Sequence, residues 1–172
     1  MSSRAASDGG PGGVPKAGDL GVGDAVPPPE SHPGPGSVRL PRGIALEVIA
    51  HARAETPLEA CGLIPGTAAA AAGGRPLRYV PCRNLAASRT RFEVHPEDYL
   101  GVVTALDATR GEIWGIVHSH PATPAVPSGL DVTMAAHPDA LYLVVSLAGP
   151  EPDLRAWRIV RGVRHEVAVE IA

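Results

Sequence analysis

The stretch that decides the fold and the chemistry of this chain is GIVHSHPATPAVPSGLD, residues 115–131. The apolar run EIWGIVH, residues 112–118, leads into it and predicts a buried strand. If this strand continues to His120, the imidazoles of His118 and His120 point to the same face, because side chains alternate along a strand with a period of two. Pro121 and Pro124 then end the strand, so the pair lies where strand gives way to loop.

The second half of the same stretch predicts the start of a helix. Ser128 is placed at its N-cap and Asp131 at its third position, so the aspartate returns toward the end of the strand. Two imidazoles and one carboxylate make three ligands, which leaves one position of a tetrahedral zinc ion open, whereas structural zinc sites use four protein ligands. His118, His120 and Asp131 therefore indicate a catalytic rather than a structural metal site.

A metal-activated water needs a base to take its proton, and Glu59 is the candidate for that role. It opens the otherwise apolar run EACGLI, residues 59–64, where a carboxylate is poor core chemistry unless it faces a site. Burial there would raise its pKa toward a useful range. Ser128 could donate its hydroxyl hydrogen to the oxyanion of a tetrahedral intermediate.

Each of these signals has a simpler explanation when taken alone. Two histidines near a turn are often solvated, Ser128 and Asp131 fit an ordinary capped helix, and Glu59 could be a solvated strand end. One metal-hydrolase geometry explains all of them together, whereas the simpler explanations need a separate reason for each.

Outward from this stretch, strands outnumber helices. The fold class that this order predicts is α+β (mixed α/β), a curved sheet covered by helices, in one domain from residue 38 to residue 172. Periodicity predicts helices at residues 40–54 and 96–110, strands at 59–64, 77–82, 112–118 and 141–147, and a closing hairpin of 154–160 and 163–169 turned at Arg161-Gly162.

The first 37 residues have a different composition. They contain nine glycines and seven prolines and few large apolar side chains. Such a segment cannot bury enough apolar surface to offset the entropy of ordering, so residues 1–37 are predicted to be a disordered tail.

Charge and cysteine content exclude several classes of function. Fifteen Lys and Arg against eighteen Asp and Glu give a net charge of −3 without a basic block, so neither a nucleic acid nor a membrane is an expected partner. No apolar stretch approaches the ~18 residues of a membrane span. The two cysteines, Cys61 and Cys82, form no CxxC pair, which favours a reducing cytoplasm over a disulfide-stabilised exported protein.

The residues of the quoted stretch resemble a known signature. His118-Ser119-His120-Pro121, then Ser128 and Asp131, match that of the JAMM (MPN-plus) metalloproteases, and Glu59 in PLEACGLIPG matches the upstream glutamate of that family. Asn84 and the stretch RTRFEVHPEDYL also resemble the small bacterial members. The similarity covers about residues 40–170, with no signature position altered.

The resemblance implies a cytidine-deaminase-like JAMM/MPN fold, with a mostly antiparallel sheet and two or three helices. It further implies one Zn²⁺ per chain held by His118, His120 and Asp131, with Glu59 as acid/base and Ser128 supporting the oxyanion. The compact bacterial members are similar to peptidases that release cysteine from the C-terminus of a ubiquitin-fold sulfur-carrier protein, a step in cysteine biosynthesis. Two alternatives stay open, an isopeptidase that removes a ubiquitin-like modifier from lysine and a non-catalytic MPN scaffold. A homodimer is left open as well.

Other polar or reactive residues receive no place in the metal site. His95 and His137 are not expected to be ligands, because the three-ligand set is already complete. His51 is expected on the surface of the first helix. Cys61 is interpreted as a small buried hydrophobe.

Overall fold

The computed structural model describes residues 36–172, which form one curled, seven-stranded mixed sheet with helices on both faces. The strands and helices, in chain order, are β1 (Ser37–Leu40), α1 (Arg42–Glu55), β2 (Cys61–Gly66), a 3-10 turn (Ala70–Ala72), β3 (Val80–Cys82), α2 (Pro96–Thr109), β4 (Glu112–His120), α3 (Gly129–Met134), β5 (Leu141–Ser146), β6 (Asp153–Val160) and β7 (Val163–Ile171).

The order of strands in the sheet is β1-β7-β6-β5-β4-β2-β3. The pairs β1–β7 and β4–β5 are parallel, and the remaining neighbours are antiparallel. The predicted α+β class with a mostly antiparallel sheet is therefore confirmed. β4 lies inside the sheet between β2 and β5, so its backbone is held from both sides.

Two apolar cores lie on the two faces of the sheet. Along β5, Leu141, Leu143 and Val145 belong to one core, while Tyr142 and Val144 belong to the other. A strand that is buried on both faces is apolar without interruption, which explains why LYLVVS shows no polar alternation. α1 packs on the first core and α2 on the second, with Ile44 and Val48 buried on α1 and Val102 and Leu106 on α2.

Most predicted elements are present with small shifts of their ends. Both long helices, the central strands and the hairpin turned at Arg161-Gly162 are confirmed. β2 runs on through Pro65 and Gly66, which were expected to end it. The register shifts between Ile64 and Pro65, and such an irregularity tolerates a proline because its missing N–H is not needed there.

Two local expectations differ from the structure. β1 was not predicted, and it pairs in parallel with β7 at the far edge of the sheet. His51, expected at the surface of α1, is half-buried instead, with its Nδ1 atom 2.8 Å from the Tyr79 hydroxyl. The amphipathic period of α1 did not reveal this contact, because Tyr79 lies in a separate segment of the chain.

The predicted disordered tail lies almost wholly outside the described residues, so the domain boundary near residue 38 stays a prediction. Within residues 36–172, no helix is long and apolar enough to cross a membrane.

Candidate metal centre

β4 presents His118 and His120 on one face at its carboxyl end. The two residues are separated by one position, and their Nε2 atoms lie 3.1 Å apart. Both are buried, with His118 fully enclosed. The parallel neighbour β5 and the antiparallel neighbour β2 hold this end of β4 from either side, so the two imidazoles are carried by rigid backbone.

α3 brings Asp131 to the same point through its capping box. The Ser128 hydroxyl accepts a hydrogen bond from the Asp131 backbone N–H at 3.2 Å, and the Asp131 carboxylate accepts one from the Ser128 backbone N–H at 2.5 Å. The same carboxylate oxygen, Oδ2, lies 3.5 Å from His118 Nε2 and 3.6 Å from His120 Nε2. The cap that starts the helix therefore also aims the carboxylate at the histidines, as the sequence predicts.

Neighbouring groups orient both imidazole rings. The Nδ1 atom of His120 donates to the carbonyl oxygen of Pro124 at 2.7 Å, which leaves the Nε2 lone pair of the neutral ring facing the centre. Phe92 stacks on His118 with ring centroids 4.4 Å apart and planes 15° from parallel. The Pro124 carbonyl is the kind of outer partner that fixes the tautomer of a metal-ligating histidine.

The three inward atoms suit a single metal ion. Their separations of 3.1, 3.5 and 3.6 Å are close to the roughly 3.3 Å expected between two ligand atoms on one tetrahedral zinc with bonds of about 2.05 Å. Within residues 36–172, this is the one cluster of three or more His, Cys, Asp or Glu side chains that is placed to share an ion. The residues present therefore fit the metal that the sequence implies.

The ionisation states of His118 and Asp131 favour ligation. Complete burial lowers the pKa of His118, which keeps the ring neutral. Burial tends to raise the pKa of Asp131, but hydrogen bonds with His118 and His120 outweigh it and hold that pKa well below its usual range. An ionised carboxylate and a neutral imidazole are the forms that bind a metal.

Glu59 is a buried carboxylate beside this centre. It is 3 % exposed, and its Oε2 atom has no hydrogen-bond partner among the described residues. Burial raises the pKa of Glu59 to about 7, an effect that the charge of His120 reduces and that of Asp131 reinforces. A carboxyl with this pKa can both accept and return a proton near neutral pH.

Two residues that sequence reasoning assigned no role hold the segment that carries Glu59. The Ser119 hydroxyl accepts a hydrogen bond from the Ala60 N–H at 2.8 Å, and the Ser119 N–H donates to the Ala60 carbonyl at 3.0 Å. The side-chain amide of Asn84 donates to the Glu59 carbonyl at 2.9 Å. The presence of both residues in the family-like motifs was the available signal, but their partners lie far away in sequence.

Ser128 lies at the exposed rim of the centre. Its hydroxyl oxygen is engaged as the acceptor for Asp131 N–H, which leaves the hydroxyl hydrogen available to a group outside the helix. The structure thus brings together all five sequence-predicted residues, Glu59, His118, His120, Ser128 and Asp131. Their individual roles stay predictions.

The remaining candidates occupy other places. His95 caps α2, where its Nδ1 accepts from the Glu97 N–H at 3.3 Å. His137 lies beyond the end of α3, with its Nε2 3.3 Å from the Tyr99 hydroxyl. Cys61 is fully buried, as expected, and burial raises the pKa of its thiol to about 12.

Comparison with known proteins gives the same family as the signature. The model of the family described as prokaryotic homologs of the JAB domain matches residues 41–160. The CysO-cysteine peptidase of Mycobacterium tuberculosis is 38% identical over 125 residues, which cover 72% of this chain and 84% of that protein. The desampylase of Haloferax volcanii is 32% identical over 108 residues, 59% of this chain and 75% of that protein.

A solved structure agrees with the fold. The solution structure of a protein from Desulfitobacterium hafniense is 33% identical, covers 78% of this chain and 92% of its own, and superposes with a TM-score of 0.67. The match of a family model over most of the described residues, together with the likeness to a peptidase and to a desampylase, favours an enzyme over a scaffold without chemistry. This chain belongs to the prokaryotic JAB-domain family, and it is a hydrolase.

Proposed function

We propose that this chain is a zinc-dependent peptidase that cleaves at the C-terminus of a ubiquitin-fold sulfur-carrier protein and releases cysteine, a step in cysteine biosynthesis. The observation that carries the proposal is the triangle of His118, His120 and Asp131 ligand atoms beside the buried carboxyl of Glu59. The likeness to a CysO-cysteine peptidase supports the substrate class. The two buried free cysteines support the cytoplasm as the place of action.

His118, His120 and Asp131 would hold the zinc ion through Nε2, Nε2 and Oδ2. When bound, zinc polarises a carbonyl as a Lewis acid and lowers the pKa of a water ligand to about 7. Three protein ligands would leave such an ion one position open to water. Two imidazoles favour zinc over metals that prefer oxygen ligands alone.

Glu59 would act as the acid and base of the reaction. With its pKa raised to about 7, it accepts the proton of the attacking water and returns it to the leaving amine. The bonds from Asn84 to the Glu59 carbonyl and from the Ala60 N–H to Ser119 hold the backbone segment that carries this carboxyl.

Ser128 would stabilise the developing negative charge. Its hydroxyl oxygen is held by the Asp131 N–H, so its hydrogen can be donated to the oxyanion at the scissile carbon. An oxyanion donor at the rim is consistent with a substrate that enters from the exposed side of α3.

The likeness to a desampylase favours a second candidate function, hydrolysis of an isopeptide bond between a ubiquitin-like modifier and lysine. Both reactions use the same centre and differ in the group that leaves. The purified protein should be incubated with a carrier that bears a C-terminal cysteine and with a carrier–lysine conjugate, and the products read by intact mass. Faster release of cysteine supports the first function, and faster release of lysine supports the second.

Metal dependence is tested with the same substrates. Chelation should abolish turnover and zinc should restore it, whereas manganese should restore it poorly. Full turnover in protein shown by elemental analysis to hold no metal would contradict the mechanism.

A further inference from the structure

An apolar pocket of about 240 Å³ opens directly beside the metal centre. Its apolar walls come from the segment before α2, from α3 and from β5, namely Phe92, Val94, Leu130, Met134 and Tyr142. Arg91, Glu93 and Asp131 complete its lining.

Two residues belong to both the pocket and the centre. Asp131 lines the pocket and places its carboxylate within 3.6 Å of both histidine Nε2 atoms. Phe92 lines the pocket and stacks on His118. A peptide whose scissile carbonyl lies at the centre therefore passes the mouth of the pocket within a few residues, since an extended chain advances about 3.3 Å per residue.

Two apolar side chains that line the pocket are exposed to solvent. Leu130 is 44% exposed and Met134 is 71% exposed. They are four positions apart on α3 and so share one face of the helix, yet no residue of α3 is buried. Apolar surface of this kind beside a candidate catalytic centre, with a few charged residues in the lining, is typical of a binding site.

The backbone next to the pocket can align an extended peptide. The Glu93 carbonyl accepts from the Leu85 N–H at 2.8 Å and the His95 N–H donates to the Arg83 carbonyl at 3.0 Å. Because successive residues of an extended segment point to opposite sides, the N–H and C=O groups of Val94 point away from residues 83–85. By contrast, the N–H and C=O of Glu59 are already bonded to Ser88 and Asn84. Among the described residues, 92–94 therefore offer an open backbone edge, next to the pocket that Phe92 and Val94 line.

We propose that this pocket binds an apolar side chain of the substrate's C-terminal tail, a branched aliphatic residue a few positions before the scissile bond, and thereby selects the tail. The inference rests on the proposed peptidase function and adds its specificity. We assign the pocket to the part of the substrate before the scissile bond. The part after it is a single cysteine, which is too short to extend along the open backbone edge.

The test uses a host peptide of alanines that ends in Gly-Gly-Cys, with one leucine placed in turn at each of the three positions before the glycines. For each enzyme, kcat/KM for the leucine peptide is divided by kcat/KM for the all-alanine peptide, so that changes common to both substrates cancel. At one position, the wild-type ratio should be about 10 or more, the effect expected for burial of one aliphatic side chain.

Three variants locate that preference. Met134→Asp should reduce the ratio to near 1, and Met134→Leu should keep it. Leu46→Asp, at a leucine on α1 that is 60% exposed and outside the pocket, should also keep it. A ratio that survives Met134→Asp, or a wild-type ratio near 1 at all three positions, would overturn the proposal.

A binding measurement separates this inference from the chemistry. The Kd of the same peptides, labelled with fluorescein, is measured by anisotropy on zinc-loaded Glu59→Gln protein. A preference for leucine that Met134→Asp removes would support the pocket even if the wild-type protein released no cysteine, an outcome that would contradict the proposed function alone. Equal Kd values for all peptides would overturn the pocket.

Discussion

Glu59 differs from an ordinary surface carboxylate in having almost no solvent contact and no hydrogen-bond partner for Oε2 among the described residues. Glu59→Gln keeps the shape of this side chain and removes its ability to carry a proton. The variant should fold, retain zinc and lose about 10²–10⁴ in kcat, the usual range for general acid–base catalysis. Zinc content by elemental analysis and turnover on the same sample provide the measurement. Loss of zinc would make Glu59 a ligand instead.

His118→Ala and Asp131→Ala are the matched comparison for that variant. Each removes one of three ligand atoms, so each should lose the metal itself, since two ligands rarely hold zinc tightly. Asp131→Ala should also lower the melting temperature, because the carboxylate caps α3 as well. A His118→Ala protein that retains one zinc ion per chain would contradict the proposed ligand set.

The raised pKa of Glu59 has a consequence for stability in metal-free protein. Its ordinary pKa is 4.5 and its folded pKa is about 7, so the folded state holds the proton more tightly than the unfolded state. Below pH 4.5 the group is neutral in both states and costs nothing. Between pH 4.5 and about 7 the unfolded state ionises first, so stability falls as the pH rises. Glu59→Gln should therefore stabilise the metal-free protein more at pH 8 than at pH 4.5.

Melting temperatures of both proteins across this pH range, in the presence of chelator, measure the effect. The difference between them isolates Glu59, because all other titrating groups are shared. A difference that does not grow with pH would show that the carboxyl is not held in an unfavourable environment.

At the scale of elements, the centre depends on how β4 is tied to the segment before β2. Ser119 lies between the two histidines, and its buried hydroxyl accepts the Ala60 N–H. Ser119→Ala leaves that N–H without its partner, which should destabilise the protein by about 1–3 kcal/mol. Because Glu59 is adjacent to Ala60, kcat should fall while zinc is retained. Chemical denaturation and kcat, compared with the control Ser37→Ala at an exposed position of β1, provide the measurement.

An unchanged kcat in Ser119→Ala would show that the backbone at Ala60 does not position Glu59. The control is informative because the Ser37 hydroxyl lies at an exposed position of the edge strand β1, away from β4 in the sheet. Its loss should change stability by a few tenths of a kcal/mol.

At the scale of the whole molecule, the N-terminal segment is predicted to be a dispensable tail up to the edge strand β1. A chain that begins at Gly36 should keep the melting temperature and turnover of the full chain, because the glycine- and proline-rich tail cannot form a core. A chain that begins at Pro41 should melt markedly lower. It lacks β1, which pairs with β7, and with it Leu40, which is fully buried. Equal melting temperatures for both truncations would contradict the role of β1.

Local patterns were sufficient for much of the fold. The helical periods over 96–110 and 40–54 and the apolar runs over 112–118 and 141–147 predicted the right elements, because each pattern reports one buried face or a strand buried on both faces. β1 escaped prediction because four residues at the end of a polar, glycine-rich segment carry too little periodicity, and it is stabilised by β7, at the other end of the chain.

The sequence by itself determined which residues are candidates to bind a metal. The spacing of His118 and His120 on one strand, and that of Ser128 and Asp131 on one helix turn, follow from local geometry. Only the tertiary structure decided that these two pieces meet at 3.1–3.6 Å, that Glu59 is buried beside them, and that Ser119 and Asn84 hold its backbone. The pocket at Met134 was likewise decided by packing. The physical reason is that each of these contacts joins residues far apart in the chain, so its energy depends on sheet order and register rather than on neighbouring residues.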